Sequence, residues 1–492
     1  MINLEELNLE RSKVDNLVYL ENVKKLKKLY VGIENGPFPL SILGMLDELK
    51  ELHMNKMWLY DIADLTYLKH IEVLDVSTNL FCDLSPLQYM KDSLRNLNIS
   101  NCEYLRDLSI LEEFPNLEVL DISFDHIKDF SFLKKLKNLK DLRATQSGLC
   151  DLRNLKGLIR MEKLDISENR VEHTEILKEM KLLRYFKASC CFLKDIDFLK
   201  NAKDLVELNV FNNHIKHIEV LKGCEHMTTL DVGNNDIRSI DSLEDMINLE
   251  CLGLSHNNIS DLTPLKDLTN LSTIDLYNNV ITDLSPLKKL INLSSLRLDH
   301  NGVMDLSPLE ECIYLSSLTL KANYVTDVTP LTRLKNLYEL RLDENPIEDI
   351  TVLEDMEYLS LIHIFARELL DIPLYKIDEP MADQAVESGN NILVLGTVKS
   401  TLEPTSDLIR SKRKSQEQSV TCILIPDVFE LYEIDRERHD QKIAEVIQEH
   451  WNTYDVIVLA QASMANAIQY ITQGREKIVT SLPLGLKQLQ EI

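Results

Sequence analysis

Three short apolar runs near the carboxy terminus each lead into hydroxyl or amide residues. Asn391-Ile-Leu-Val-Leu395 is followed by Thr397, Ser400 and Thr401, Val456-Ile-Val-Leu-Ala460 by Gln461 and Ser463, and Ile478-Val479 by Thr480 and Ser481. Such side chains bind and orient a polar ligand. Groups able to move protons or attack carbon are scarce around them. His439, in Glu437-Arg-His-Asp440, could act as an acid or base but is expected to be a solvated helix residue. Cys422 falls inside the apolar run Val420–Pro426 and is expected in the core. The basic run Ser411-Lys-Arg-Lys-Ser415 reads as a solvated helix end, and no P-loop, G-x-G-x-x-G, H-E-x-x-H or paired C-x-x-C motif is present. The adjacent Cys190 and Cys191 have no second Cys/His cluster at zinc spacing, so no metal is expected, and no cofactor.

These residues need strands and helices to hold them. The runs at 391–395, 420–426, 456–460 and 478–480 read as strands, with helices near Pro404, over 436–450, after Ser463 and at the end of the chain. Strands alternating with helices imply a parallel α/β lobe, whose ligands bind beyond the strands' carboxyl ends. The stretches I-P-L-Y-K-I-D-E-P-M-A (372–382), L-G-T-V-K-S-T-L-E-P-T (395–405), E-R-H-D (437–440), D-V-I-V-L-A-Q-A-S-M-A (455–465) and T-S-L-P-L-G (480–485) resemble the aspartate/glutamate racemase superfamily. The resemblance implies two α/β lobes around a cleft, one catalytic cysteine from each, and hydroxyl-bearing loops that hold the substrate carboxylate. Here only the second lobe is present, and Gln461 stands where its cysteine belongs. An amide cannot accept and return a proton near neutral pH. The expectation is a small-carboxylate site at Thr397, Thr401, Gln461 and Ser463 with no catalytic residue, the lobe acting as a cap or a carboxylate-ligand sensor. The alternative is an isomerase-like enzyme on aspartate/glutamate-type acids, completed by a complementary lobe in trans.

Before Ile372 the chain has a different grammar. Units of the form L-x-x-L-x-L-x-x-N begin at Leu117, Leu139, Met161, Leu183, Leu205, Met227, Leu249, Leu271, Leu293, Leu315 and Leu337, always 22 residues apart. Earlier units begin at Leu4, Leu26, Leu49, Ile71 and Leu94, and a degenerate one at Leu359. A period of this length predicts a solenoid of about 17 coils over 1–371, followed by the lobe over 372–492. In the unit from Leu249, Leu252 and Leu254 face inward on a short strand and Gly253 faces out. Asn257 ends the strand, where its amide can bond main chain of its own and neighbouring coils; Asn79, Asn169, Asn213, Asn235, Asn279, Asn301, Asn323 and Asn345 share the slot, with Cys102 and Cys191. This column is expected to be structural. Cys82, Cys150 and Cys251 are also expected at small buried positions. Ile259 and Leu262 turn inward again, and Pro264 opens a short return segment. The pattern resembles the 22-residue leucine-rich repeats of internalins and of the protein phosphatase-1 regulatory subunit. That implies a parallel β wall on the concave face and a protein-interaction scaffold, although the helical amino-terminal cap usual in internalins is not seen.

The wall supplies candidate partner contacts. Outward positions include Asp275 and Arg297, and the neighbouring slots carry Tyr185, Phe211 and Tyr277, with His256 and His300 at strand ends. Aromatic anchors in a polar surround suit a protein partner. With 54 basic and 80 acidic residues the formal charge is −26, spread as −20 up to Asp371 and −6 beyond it. That disfavours nucleic acid and anionic membrane as partners. No secretory signal or long apolar run is evident, and the cysteines are odd in number, so a reduced cytoplasmic location is expected.

Overall fold

A computed structural model describes residues 3–12, 14, 16–32, 40–353, 356, 359, 361–363, 378–415, 418–426, 428, 431 and 435–480. The chain divides into two compact units, Met1–Ala366 and Arg367–Ile492. The expected boundary after Asp371 lies outside the described residues.

The first unit is a solenoid with a 17-stranded sheet. Every strand is three residues long, from Glu6–Asn8 to Leu361–His363, and runs parallel to the next in register: Glu6 meets Lys28, Leu230 meets Leu252, and Arg341 meets His363. In the strands from Glu6–Asn8 to Glu339–Arg341 the middle residue points into the coil while its two neighbours face the wall. Leu208, Leu230, Leu252 and Ile274 are thus buried beneath a wall of half-exposed flanking side chains. The return segments are short 3₁₀ turns, and an aspartate sets many of them. Asp283 Oδ1 accepts from Ser285 N at 2.8 Å, and the same bond recurs from Asp261 to Thr263, Asp305 to Ser307 and Asp349 to Thr351. Proline follows at a position with no helical hydrogen bond to lose, as in Thr263–Leu265. One apolar core runs from Leu17 to Met356. Each coil contributes a thin slice of it, so stability comes from stacking.

The asparagine column is a hydrogen-bond hub. Asn257 Oδ1 accepts from Ile237 N of the preceding coil at 2.9 Å, while Nδ2 donates to Val232, Leu254 and Ser255 carbonyls at 3.0, 3.1 and 3.1 Å. The amide thus satisfies buried main chain from two coils, which would otherwise cost about 1–3 kcal/mol per orphaned group. Cys102 and Cys191 fill the slot as expected; Cys191 Sγ reaches the Ile166 carbonyl at 3.1 Å, and burial pushes the two thiols up to about 12 and about 11. Met57, Asp125 and Ser147 occupy the same slot, which the sequence reading did not include. Three cysteine placements need correction. Cys82 and Cys150 are exposed and Cys251 is half-exposed, because each lies on the turn side or the outer flank of its coil.

The second unit has a four-stranded parallel sheet in the order Ser419–Leu424, Asn391–Gly396, Val456–Leu459, Ile478–Thr480. Helices Asp378–Ser388, Lys399–Ser411 and Arg436–His450 and the 3₁₀ segment Ala462–Tyr470 accompany it. The central strands Asn391–Gly396 and Val456–Leu459 are covered on both faces, which accounts for their unbroken apolar runs. Ser419–Leu424 is an edge strand with half-exposed residues, so Cys422 is half-exposed rather than in the core. The expected terminal helix lies outside the described residues.

Candidate functional site

Along the solenoid wall, side chains from successive strands meet because in-register pairing stacks like positions one above another. Around Tyr277 the contacts are dense. The Arg297 guanidinium lies 4.4 Å from the centre of the Tyr277 ring and 3.6 Å from Asp275 Oδ2, and its Nε is 3.2 Å from Asp299 Oδ2. His256 and His300 pack edge-on against the same ring at 4.6 and 5.4 Å. Asp299 is itself held by Thr319 Oγ1 at 2.6 Å and Lys321 N at 2.8 Å. A half-buried tyrosine is therefore locked in one orientation by a cation on its face and two imidazoles at its sides, at a wall open to solvent.

The structure thus brings Asp275, Tyr277 and Arg297 together and leaves the other two aromatics apart. Phe211 lies against Gly233, where a Cβ would meet its ring at 3.0 Å. Tyr185 carries Lys163 over its ring at 4.9 Å. Lys187, beside Tyr185, pairs with Glu207 at 2.8 Å.

A second network on the wall escaped the sequence reading. Tyr30 stacks on His53 with centroids 4.5 Å apart, and its hydroxyl donates to Glu51 at 2.8 Å. His53 lies 3.1 Å from Glu51 and 3.8 Å from Asp75, and Lys28 pairs with Glu51 at 3.0 Å. Burial pulls the His53 imidazole down, but the carboxylates of Asp75 and Glu51 reverse this and hold it above its usual range. The signal was available as Tyr30, Glu51, His53 and Asp75 in adjacent slots of successive units. Exposed Trp58, Phe124 and Phe192 were also missed; all three have left-handed backbone at the turn edge (φ 58°, 62° and 61°), outside the strand positions that were read.

In the second unit, the strand order places Asn391–Gly396 and Val456–Leu459 side by side as connections leave in opposite directions, the place where ligands bind in open α/β sheets. Gln461 Oε1 bridges their carboxyl ends, accepting from Thr397 N at 2.9 Å and Thr397 Oγ1 at 2.6 Å. With the carbonyl end occupied, the amide Nε2 is left as a donor with no hydrogen bond among the described residues. Thr401 is less available, because its hydroxyl donates to the Val398 carbonyl at 3.2 Å. The Ser463 side chain, and those of Ser400 and Ser481, lie outside the described residues.

Two nearby expectations change. His439, expected to be solvated, is 1% exposed and its Nδ1 lies 2.8 Å from Asp440 Oδ1. The cause is that the helix Arg436–His450 turns this face toward the 3₁₀ segment Ala462–Tyr470 and the sheet. Cys422 donates to Ser406 Oγ at 2.9 Å and accepts from Arg410 Nη2 at 3.2 Å. Among the described residues no cluster of His, Cys, Asp and Glu could hold a metal, and no helix is long and apolar enough to cross a membrane.

Comparison with known families agrees with both halves. Leucine-rich repeat models match residues 92–135, 225–267, 247–289 and 269–311, and the Asp/Glu/Hydantoin racemase model matches 365–482. Leucine-rich repeats build the solenoid, and an Asp/Glu/hydantoin racemase-type domain follows them. An internalin from Listeria monocytogenes superposes with a TM-score of 0.59 at 26% identity, covering 64% of this chain and 91% of that one. A leucine-rich repeat protein of Leptospira interrogans gives 0.54 at 21% identity, over 74% of this chain and 96% of its own. Leucine-rich repeat and WD repeat-containing protein 1 of Xenopus laevis is 34% identical over 113 residues, which are 20% of this chain and 15% of that protein.

Proposed function

We propose that the chain is a protein-binding scaffold: a partner docks on the strand wall of the leucine-rich repeats, and the racemase-type lobe senses a small carboxylate without turning it over. The wall reading is carried by Tyr277, fixed in place by Arg297, His256 and His300 before any partner arrives. A pre-ordered aromatic loses little freedom on docking, so more of its contact energy appears as affinity. A Phe211→Ala, Tyr277→Ala double variant of the full chain is expected to lose the partners that the wild type pulls down from its native host. Retention of every partner refutes the wall. All nine cysteines are free, which supports a reducing cytoplasmic setting.

The lobe reading rests on Gln461, whose carbonyl clamps Thr397 and whose Nε2 is left to donate to an anionic oxygen. Its amide orients a carboxylate but does not exchange protons with carbon. Calorimetric titration of the full chain with aspartate, glutamate and simple dicarboxylates is expected to show binding that Gln461→Ala removes. No heat at millimolar ligand refutes the sensor. Exchange of the ligand's α-proton for deuterium would refute the non-catalytic reading and favour an enzyme completed in trans.

A further inference from the structure

Each aspartate on the central column of the strand wall except Asp231 has a basic residue in register on an adjacent strand, and three of them have it within 4.0 Å. Asp75 has His53 at 3.8 Å, Asp121 has Arg143 at 4.0 Å, and Asp275 has Arg297 at 3.6 Å. Asp165 stands in register between Arg143 and Lys187, the latter paired with Glu207 instead. Asp231 stands in register with Gly253, and its carboxylate leans over the space where a side chain would be: a Cβ on Gly253 would meet Asp231 Oδ1 at 2.7 Å. Its side chain accepts from Gly233 N at 3.0 Å, and no cation is within ion-pair distance among the described residues. Asp231 is half-buried, and burial first, then repulsion from Asp275 two strands away, hold its carboxyl above the usual range. The Phe211 ring lies against Gly233, the residue whose N–H donates to the Asp231 carboxylate. A carboxylate over a glycine floor, with an aromatic ring at its flank, has the parts that hold a long cationic side chain: charge for the head and an apolar face for the stem.

We propose that the wall takes a protein segment bearing arginine or lysine, whose cation docks on Asp231 above Gly253 and beside Phe211. This rests on the reading of the wall as a protein-docking surface, and the net charge of the chain favours a basic partner in the same sense. The partner supplies the cation that an adjacent strand supplies to Asp75, Asp121 and Asp275. Glycine at 253, in the register slot that Arg143 fills beside Asp121 and Arg297 fills beside Asp275, leaves room for it.

The test uses the full chain and two short fluorescent peptides that alternate serine with arginine or with the neutral isostere citrulline. Anisotropy at physiological salt is expected to show the arginine peptide bound roughly tenfold tighter, the scale of a close interfacial charge pair. Asp231→Asn is expected to erase that preference. Gly253→Lys, which fills the space beneath Asp231, makes its carboxylate shift and places a cation beside it, is expected to abolish binding of the arginine peptide while circular dichroism shows the coil still folded. Asp241→Asn removes an equal charge from the 3₁₀ side of the same coil and is expected to leave the preference intact. Equal effects of Asp231→Asn and Asp241→Asn overturn the proposal, since bulk charge then explains the attraction. So does an arginine peptide that fails to bind at millimolar concentration. If both peptides bind equally and the Phe211→Ala, Tyr277→Ala variant releases both, the cation site is wrong and the docking wall stands. If that double variant changes nothing, the wall itself is wrong.

Discussion

Replacing Asp125 with asparagine should stabilise the solenoid, by an amount that grows with pH. Asp125 occupies the asparagine slot of its coil and is fully buried. Oδ1 does what an asparagine oxygen does, accepting from Cys102 N at 2.7 Å. Oδ2 is buried with no donor, in the place where neighbouring coils put an amide nitrogen, as Asn169 does when it donates to Ala144, Ile166 and Ser167 carbonyls. An ionised oxygen there would face main-chain oxygens, so the carboxyl is carried neutral, with a proton as the missing donor. Burial raises it from 3.8 to about 8. A folded value above the unfolded one means that the native state binds the extra proton. Stability is therefore fully present below pH 3.8 and is lost as pH rises toward about 8. Between these values the wild type should fall by about 1.4 kcal/mol per pH unit relative to Asp125→Asn, a gap of about 4 kcal/mol at pH 7. Urea unfolding of both proteins, followed by circular dichroism from pH 4 to pH 9, measures the gap; other carboxylates titrate equally in both and cancel. Because coils unfold semi-independently, hydrogen exchange at the coils around Asp125 gives the local value. A gap that is the same at pH 4.5 and pH 8 refutes the reasoning.

Three further outcomes are expected. Asn279→Ala should cost roughly 2–4 kcal/mol in urea unfolding, because it strands Ile259 N and several buried carbonyls that the amide now serves; a loss below about half a kcal/mol would remove the hub role. His53→Gln should destabilise more at pH 5.5 than at pH 8.5, since the raised imidazole contributes below its unfolded value and the contribution disappears as pH climbs through the folded one; exposure keeps the effect within about 1 kcal/mol. Thiol-reactive dye on the native protein should label Cys82 and Cys150 promptly and spare Cys102, Cys191 and Cys312 until urea is added, because burial holds those three thiols at about 12, about 11 and about 11. Mass mapping of the labelled peptides checks it.

Much of the fold could be read directly. Leu252 and Leu254 face inward, Asn257 closes the turn and Pro264 opens the return segment. In the lobe the helix expected over 436–450 is Arg436–His450, and the strands at 391, 456 and 478 begin where the apolar runs begin. The site was less legible. Thr397 and Gln461 are 64 residues apart and bond directly, and their place at the strand ends anticipated this. Tyr30 and His53 were overlooked, and Phe211 and Tyr277 were grouped although they sit three strands apart.

From composition and order alone follow the coil, its inside and outside, and the alternation of strand and helix in the lobe, because inward and outward are set by a side chain's place in a short local period. Pairing and protonation belong to the folded chain. Asp125 and Asp231 look like other aspartates in the sequence; burial with no donor to Oδ2 raises the first to about 8, and the second has no cation partner because its register neighbours are Asn209 and Gly253. His439 and Cys422 exchange their expected surroundings because helix facing and strand order, not local pattern, decide which residues reach water. The two aspartates depend on a neighbour a full coil away, and His439 and Cys422 on how a helix and an edge strand pack, so only the folded chain decides them.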